Sequence, residues 1–130
     1  MSNKYQMFYK MDREQRPVPC DIAEWSGQVG GDDWRIARSI VGGLDISTIF
    51  TGLPMVSLVD DDQYFYETMV FGDNRLLKLI SGNTSEDISS IFAKFFGITE
   101  NQCRYRTVEE ARAGHAELVR LAEQVVARLN

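Results

Sequence analysis

Trp34-Arg35-Ile36-Ala37-Arg38-Ser39-Ile40-Val41, then Gly42-Gly43, then Leu44-Asp45-Ile46-Ser47-Thr48-Ile49-Phe50-Thr51 is the stretch that decides the fold. Two alternating, β-branched runs are separated by two glycines alone. A two-residue link between strands needs a primed turn, whose positive φ glycine adopts without a Cβ clash. Residues 34–51 are therefore expected to form a hairpin, and the sheet built on it to be antiparallel.

Downstream, the acidic run Asp60-Asp61-Asp62 reads as a turn and Gln63 to Phe71 as a third strand, with a further short strand expected over Arg75 to Ile80. Upstream, Tyr5 to Lys10 is aromatic-rich and reads as a first strand. Arg16-Pro17-Val18-Pro19 then forces extended backbone. Asp21 and Glu24 have the spacing of a capping box and open a short helix through Trp25, which Gly30-Gly31 closes off. Thr84 or Ser85 caps a second helix, with Ile88, Ile91, Phe92, Phe95 and Phe96 at helical spacing and Gly97 as its stop. The last helix is the clearest. Thr107 and Glu110 make another capping box, and Ala111, His115, Leu118, Ala122, Val125 and Leu129 recur on one face. The fold class is α+β: an antiparallel sheet packed by a long C-terminal helix, with one or two shorter helices.

A chain of 130 residues with 44% hydrophobic and 25% charged residues is sized for one domain spanning 1–130. Its net charge of −5 argues against binding duplex nucleic acid, because phosphate neutralisation needs a basic face. Cys20 and Cys103 lack metal-ligand spacing and fit a reducing compartment, so no metal or cofactor is implied and Cys20 reads as an inert thiol. No apolar run approaches a signal core or a membrane span, so the expected location is the cytoplasm. No GxSxG, GxxxxGK[ST], HExxH or GxGxxG motif occurs, and the expected role is non-enzymatic.

Two polar residues stand on apolar faces. Strand alternation puts Glu67 in one row with Phe65, Met69 and Phe71, while His115 lies on the stripe of the last helix, beside Gly114. A contact between Glu67 and His115 under that helix is expected. It reads first as a structural pair and second as an acid–base pair. A third feature is Arg104-Tyr105-Arg106 immediately before the cap Thr107. Two guanidinium groups and a helix start favour an anion, with Tyr105 or Trp34 available to stack on a base. The plainer reading pairs both arginines with Glu109, Glu110 or other carboxylates.

Asp45-Ile46-Ser47-Thr48-Ile49-Phe50-Thr51-Gly52-Leu53, Tyr66-Glu67-Thr68-Met69-Val70-Phe71-Gly72 and the run from Arg104 to His115 together resemble an uncharacterised family of small phage and prophage proteins. Pro17-Val18-Pro19-Cys20-Asp21, Glu24-Trp25 and Arg35-Ile36-Ala37 extend the resemblance over most of the chain. Gly52-Leu53-Pro54-Met55 departs from that family's Gly-Leu-Asp-His, Val108 replaces a Trp, and 73–103 has the look of an insertion. The resemblance implies an accessory binding protein acting in the host cytoplasm, one form of which counteracts host immunity by sequestering a small anionic nucleotide signal. The alternatives are an inhibitor that binds a host defence protein, a small hydrolase using Glu67 and His115, and a minor virion component. Partners are thus a small anionic ligand or a host protein, with homo-oligomerisation open.

Overall fold

Gly42 takes a φ of 60° and Gly43 is outside the positive region, the φ signature of a type II′ turn. A Cβ on Gly42 would stand 2.8 Å from Cγ2 of Val126, so the last helix packs directly on this turn. The chain is seen here in a computed structural model that describes residues 7–28, 31–56, 63–72 and 103–129. Strands β1 (Tyr9–Met11) and β2 (Pro17–Pro19) pair as a small antiparallel hairpin, followed by helix α1 (Ile22–Gln28) and a 3₁₀ turn at Asp32–Trp34. Strands β3 (Arg35–Val41), β4 (Leu44–Val56), β5 (Gln63–Gly72) and β6 (Arg104–Tyr105) then form an antiparallel sheet in that order. Helix α2 (Val108–Leu129) packs across all four.

The hairpin expected at 34–51 is present, except that Trp34 closes the 3₁₀ turn and its strand begins at Arg35. The reason is burial: Trp34 is only 4% exposed and packs edge-on against Phe50 and Trp25. Strand β4 runs on past Thr51 through an irregularity in which Gly52 takes a φ of 71°. The strand expected over Arg75 to Ile80, the helix expected over Ser85 to Phe96, the 60–62 turn and nearly all of the 73–103 segment lie outside the described residues.

Alternation on β4 turns Leu44, Ile46, Thr48 and Phe50 inward, opposite Gly72, Val70, Thr68 and Tyr66 of β5. Helix α2 lays Val108, Ala111, Leu118, Ala122 and Val125 over that row. Each large apolar side chain so buried contributes about 1.5–3 kcal/mol. Both helix starts are capped as expected: the Glu24 amide donates to Asp21 Oδ1 (2.7 Å) and the Glu110 amide to Thr107 Oγ1 (3.1 Å). The boxes close differently, since the Glu24 carboxylate meets Lys10 Nζ at 2.7 Å and Glu110 Oε2 accepts from the Arg106 amide at 3.2 Å.

Candidate functional site

The helical step that places Ala111 and Leu118 over the sheet also places His115 there, 6% exposed and directly above β3 and β4. A buried imidazole needs partners for both nitrogens, and it finds hydroxyls. Nε2 lies 2.9 Å from Ser39 Oγ on β3, and Nδ1 lies 2.8 Å from Thr48 Oγ1 on β4. Thr48 Oγ1 is 2.5 Å from Thr68 Oγ1, its register partner on β5, and Thr68 donates to the Tyr105 hydroxyl on β6 at 3.1 Å.

Each hydroxyl has one proton to give, so the last bond sets the polarity of the whole row. Thr68 spends its proton on Tyr105 and accepts from Thr48. Thr48 in turn accepts from Nδ1–H, and Nε2 is left to accept from Ser39. Burial holds the His115 pKa below its ordinary 6.5, so the ring is neutral at pH 7. Burial likewise raises the Tyr105 phenol, an effect the Thr68 donation opposes. A Cβ on Gly114 would sit 2.2 Å from Cε1 of Tyr105, which is the close approach that Gly114 permits.

Glu67 is not part of this row. It does share a face with Met69, but that face is the outer one: Thr68 between them points inward, and Glu67 Oε1 stands 3.8 Å from Arg104 Nε. The expected Glu67–His115 pair therefore does not form, and an acid–base role for it falls with it. Ser39, Thr48 and Thr68, which hold the row together, carry no motif in the sequence. Their signal was hydroxyl residues in register with Ile46 and Phe50 on the same inward rows.

The residues expected at an anion site have the following neighbours. Arg106 lies 3.6 Å from Glu110 and Arg104 faces Glu67, the plainer of the two pairings. Thr107 is occupied as the helix cap, while Tyr105 and Trp34 are 7% and 4% exposed and present no ring for stacking. Trp34 instead helps line a cleft of about 320 Å³ with Met11, Asp12, Gln15, Gln28 and Asp33, whose carboxylates disfavour phosphate. At its edge Gln15 has a φ of 63°. Its carbonyl accepts from the Tyr66 hydroxyl at 2.5 Å and its side chain from Arg112, tying the β1–β2 turn to the sheet and to α2.

The outer face of the sheet carries a different chemistry. Ile40, Phe71 and Met69 are 67%, 52% and 42% exposed there, around a bidentate Arg38–Asp45 pair at 3.0 and 2.7 Å. Among the described residues no set of three His, Cys, Asp or Glu side chains could hold a metal ion, and no helix is long and apolar enough to cross a membrane. Comparisons with protein-family models, with curated proteins and with solved structures give no match.

Proposed function

We propose that this chain is an accessory binding protein that acts by covering part of another protein, and that the outer face of its sheet is the covering surface. The observation that carries this is the exposure of Ile40, Met69 and Phe71 together on one face of a well-packed sheet. Met, Phe and Arg are residue types enriched at protein interfaces. Two ion pairs lie on that face, Arg38 with Asp45 and Arg104 with Glu67, and Arg35 also acts on Asp45, whereas the chain as a whole carries −5. A partner with an apolar docking patch and a basic rim complements this arrangement, the rim steering the encounter. The resemblance to small phage proteins directs the search to host proteins. Sequestration of a nucleotide is the weaker reading, because its stacking rings are buried and its arginines face carboxylates.

A photo-crosslinking amino acid placed at Phe71, in cells that make the protein, tests the proposal against the same probe at Glu117 on the far side of α2. The expected result is an adduct with one host protein, specific to position 71 and suppressed by Ile40→Glu. The purified pair should then bind at least tenfold more weakly with Ile40→Glu or at raised salt. Adducts only between copies of this chain, or none above the Glu117 control, would overturn it.

A further inference from the structure

The hydroxyl–imidazole row has a chemical meaning beyond holding α2 in place. Among the described residues, strand β3 is one of the two edge strands of the sheet. The closing pair of a two-residue turn is a hydrogen-bonded pair, here Val41 with Leu44, and the antiparallel ladder alternates from it. Ser39 with Ile46 is then also hydrogen-bonded, and the backbone amides of Arg38 and Ile40 turn away from β4, to the side of β3 that no other described strand pairs. Ser39 is half-buried at that edge, with its hydroxyl on Nε2 of His115. The two ring nitrogens of His115 thus join the Ser39 hydroxyl to the Thr48 hydroxyl. The Ile40 amide, next after Ser39, is turned to that same edge.

We propose that Ser39 is a nucleophile for acyl transfer, with His115 as its general base and Thr48 as the residue that positions the imidazole. Ser39 Oγ attacks the carbonyl carbon of an ester or thioester while its proton passes to Nε2. The Ile40 amide donates to the oxygen that becomes negative, and the bond to the leaving alkoxide or thiolate breaks as that group takes the proton from Nε2. Water then enters by the same route in reverse roles, His115 taking its proton and returning one to Ser39 Oγ as the acid departs. The substrate class follows from the orienting group. Thr48 is a neutral hydroxyl and, among the described residues, no carboxylate is hydrogen-bonded to His115 to stabilise an imidazolium. The pair therefore suits esters and thioesters with acidic leaving groups rather than amides. This activity is independent of the outer-face docking proposed above.

The test uses an alkyl fluorophosphonate, which phosphonylates an activated serine with loss of fluoride. Intact-mass and peptide mass spectrometry should place a single label on Ser39 of the folded chain, about 100-fold or more faster than on the same chain in urea. Ser39→Ala should carry none. His115→Gln should lose the labelling while keeping the near-ultraviolet circular dichroism of the native fold. The nitrogen-15 spectrum of the wild-type imidazole should show the proton on Nδ1, a readout that needs no variant to fold. Labelling of Ser39 no faster than in the unfolded chain, label scattered over several serines, or the proton on Nε2 would overturn the assignment.

Discussion

Replacing Gly114 by Ala sets two effects of opposite sign against each other. Intrinsic helix propensity favours Ala in the interior of α2 by about 1 kcal/mol. Opposing it, the new Cβ falls 2.2 Å from Cε1 and 2.4 Å from the hydroxyl oxygen of Tyr105. Carbon contacts relax at about 3.5–4.0 Å, so the ring has to retreat by more than about 1 Å. It has little room: Tyr105 is 7% exposed, packed with Trp34, Phe50, Tyr66, Val108 and Ala111, and held by the Thr68 hydroxyl at 3.1 Å. Overpacking of a filled core costs about 1–3 kcal/mol and loss of the Thr68 bond about 0.5–1.5 kcal/mol. The expected outcome is a net destabilisation of about 1–3 kcal/mol, read as a lower urea midpoint at pH 7.5 with an unchanged slope. In a Tyr105→Val background, where the ring is gone, the same Gly114→Ala step should become stabilising. A Gly114→Ala protein as stable as wild type, or more so, would refute the close packing of helix and ring.

Four further outcomes are expected. The unfolded chain takes up a proton on histidine near pH 6.5 while burial keeps folded His115 neutral, so this contribution to stability is full above about pH 6.5 and is lost as pH falls through the lower folded value. An imidazole NMR titration should give a midpoint below 6.5, and His115→Gln should remove the corresponding acid-side loss. Tyr66, raised to about 12 mainly by burial, should ionise late in an ultraviolet titration. The stability linked to it holds below about pH 10 and declines as pH rises toward 12, and Tyr66→Phe should abolish the late step. Gly52→Ala places a Cβ 2.5 Å from both Trp25 Nε1 and Trp34 Cη2 at a φ of 71°, and should lower stability by about 2–4 kcal/mol in melts followed by tryptophan fluorescence. Asp45→Ala breaks an exposed pair with Arg38 and should cost only about 0.2–1 kcal/mol, a difference that shrinks in high salt.

The turn at Gly42-Gly43, the caps at Asp21 and Thr107, and the apolar stripe of α2 were legible because each depends on a few neighbouring residues. The period of β5 was legible too: Glu67 and Met69 do share a face. What alternation cannot supply is which of two faces turns inward. On β5 the inner face belongs to Tyr66, Thr68 and Val70 rather than to the row with Phe71 and Met69, because Phe50, Thr48 and Ile46 fix the register from β4. The partners of His115 were missed for a related reason. A buried imidazole suggests a carboxylate, but two hydroxyls satisfy a neutral ring at lower desolvation cost. The arginines before Thr107 reach carboxylates on β5 and on the helix that follows them, and the first of these pairings depends on β6 joining the sheet.

The contacts that complete this core are far apart in the chain, His115 meeting Thr48 across 67 positions and Ser39 across 76. On the ribosome, β4 therefore emerges long before the helix that covers it. Between Phe50 and Ala111 lie roughly 60 residues, about 3–12 s of synthesis at the usual 5–20 residues per second. During that interval Leu44, Ile46 and Phe50 have no α2 to cover them, and the nascent hairpin is open to chaperones and to its own kind. Overproduction at high temperature should thus yield aggregates seeded by β3 and β4, while slower synthesis in the cold gives α2 time to arrive on each chain before the next is exposed.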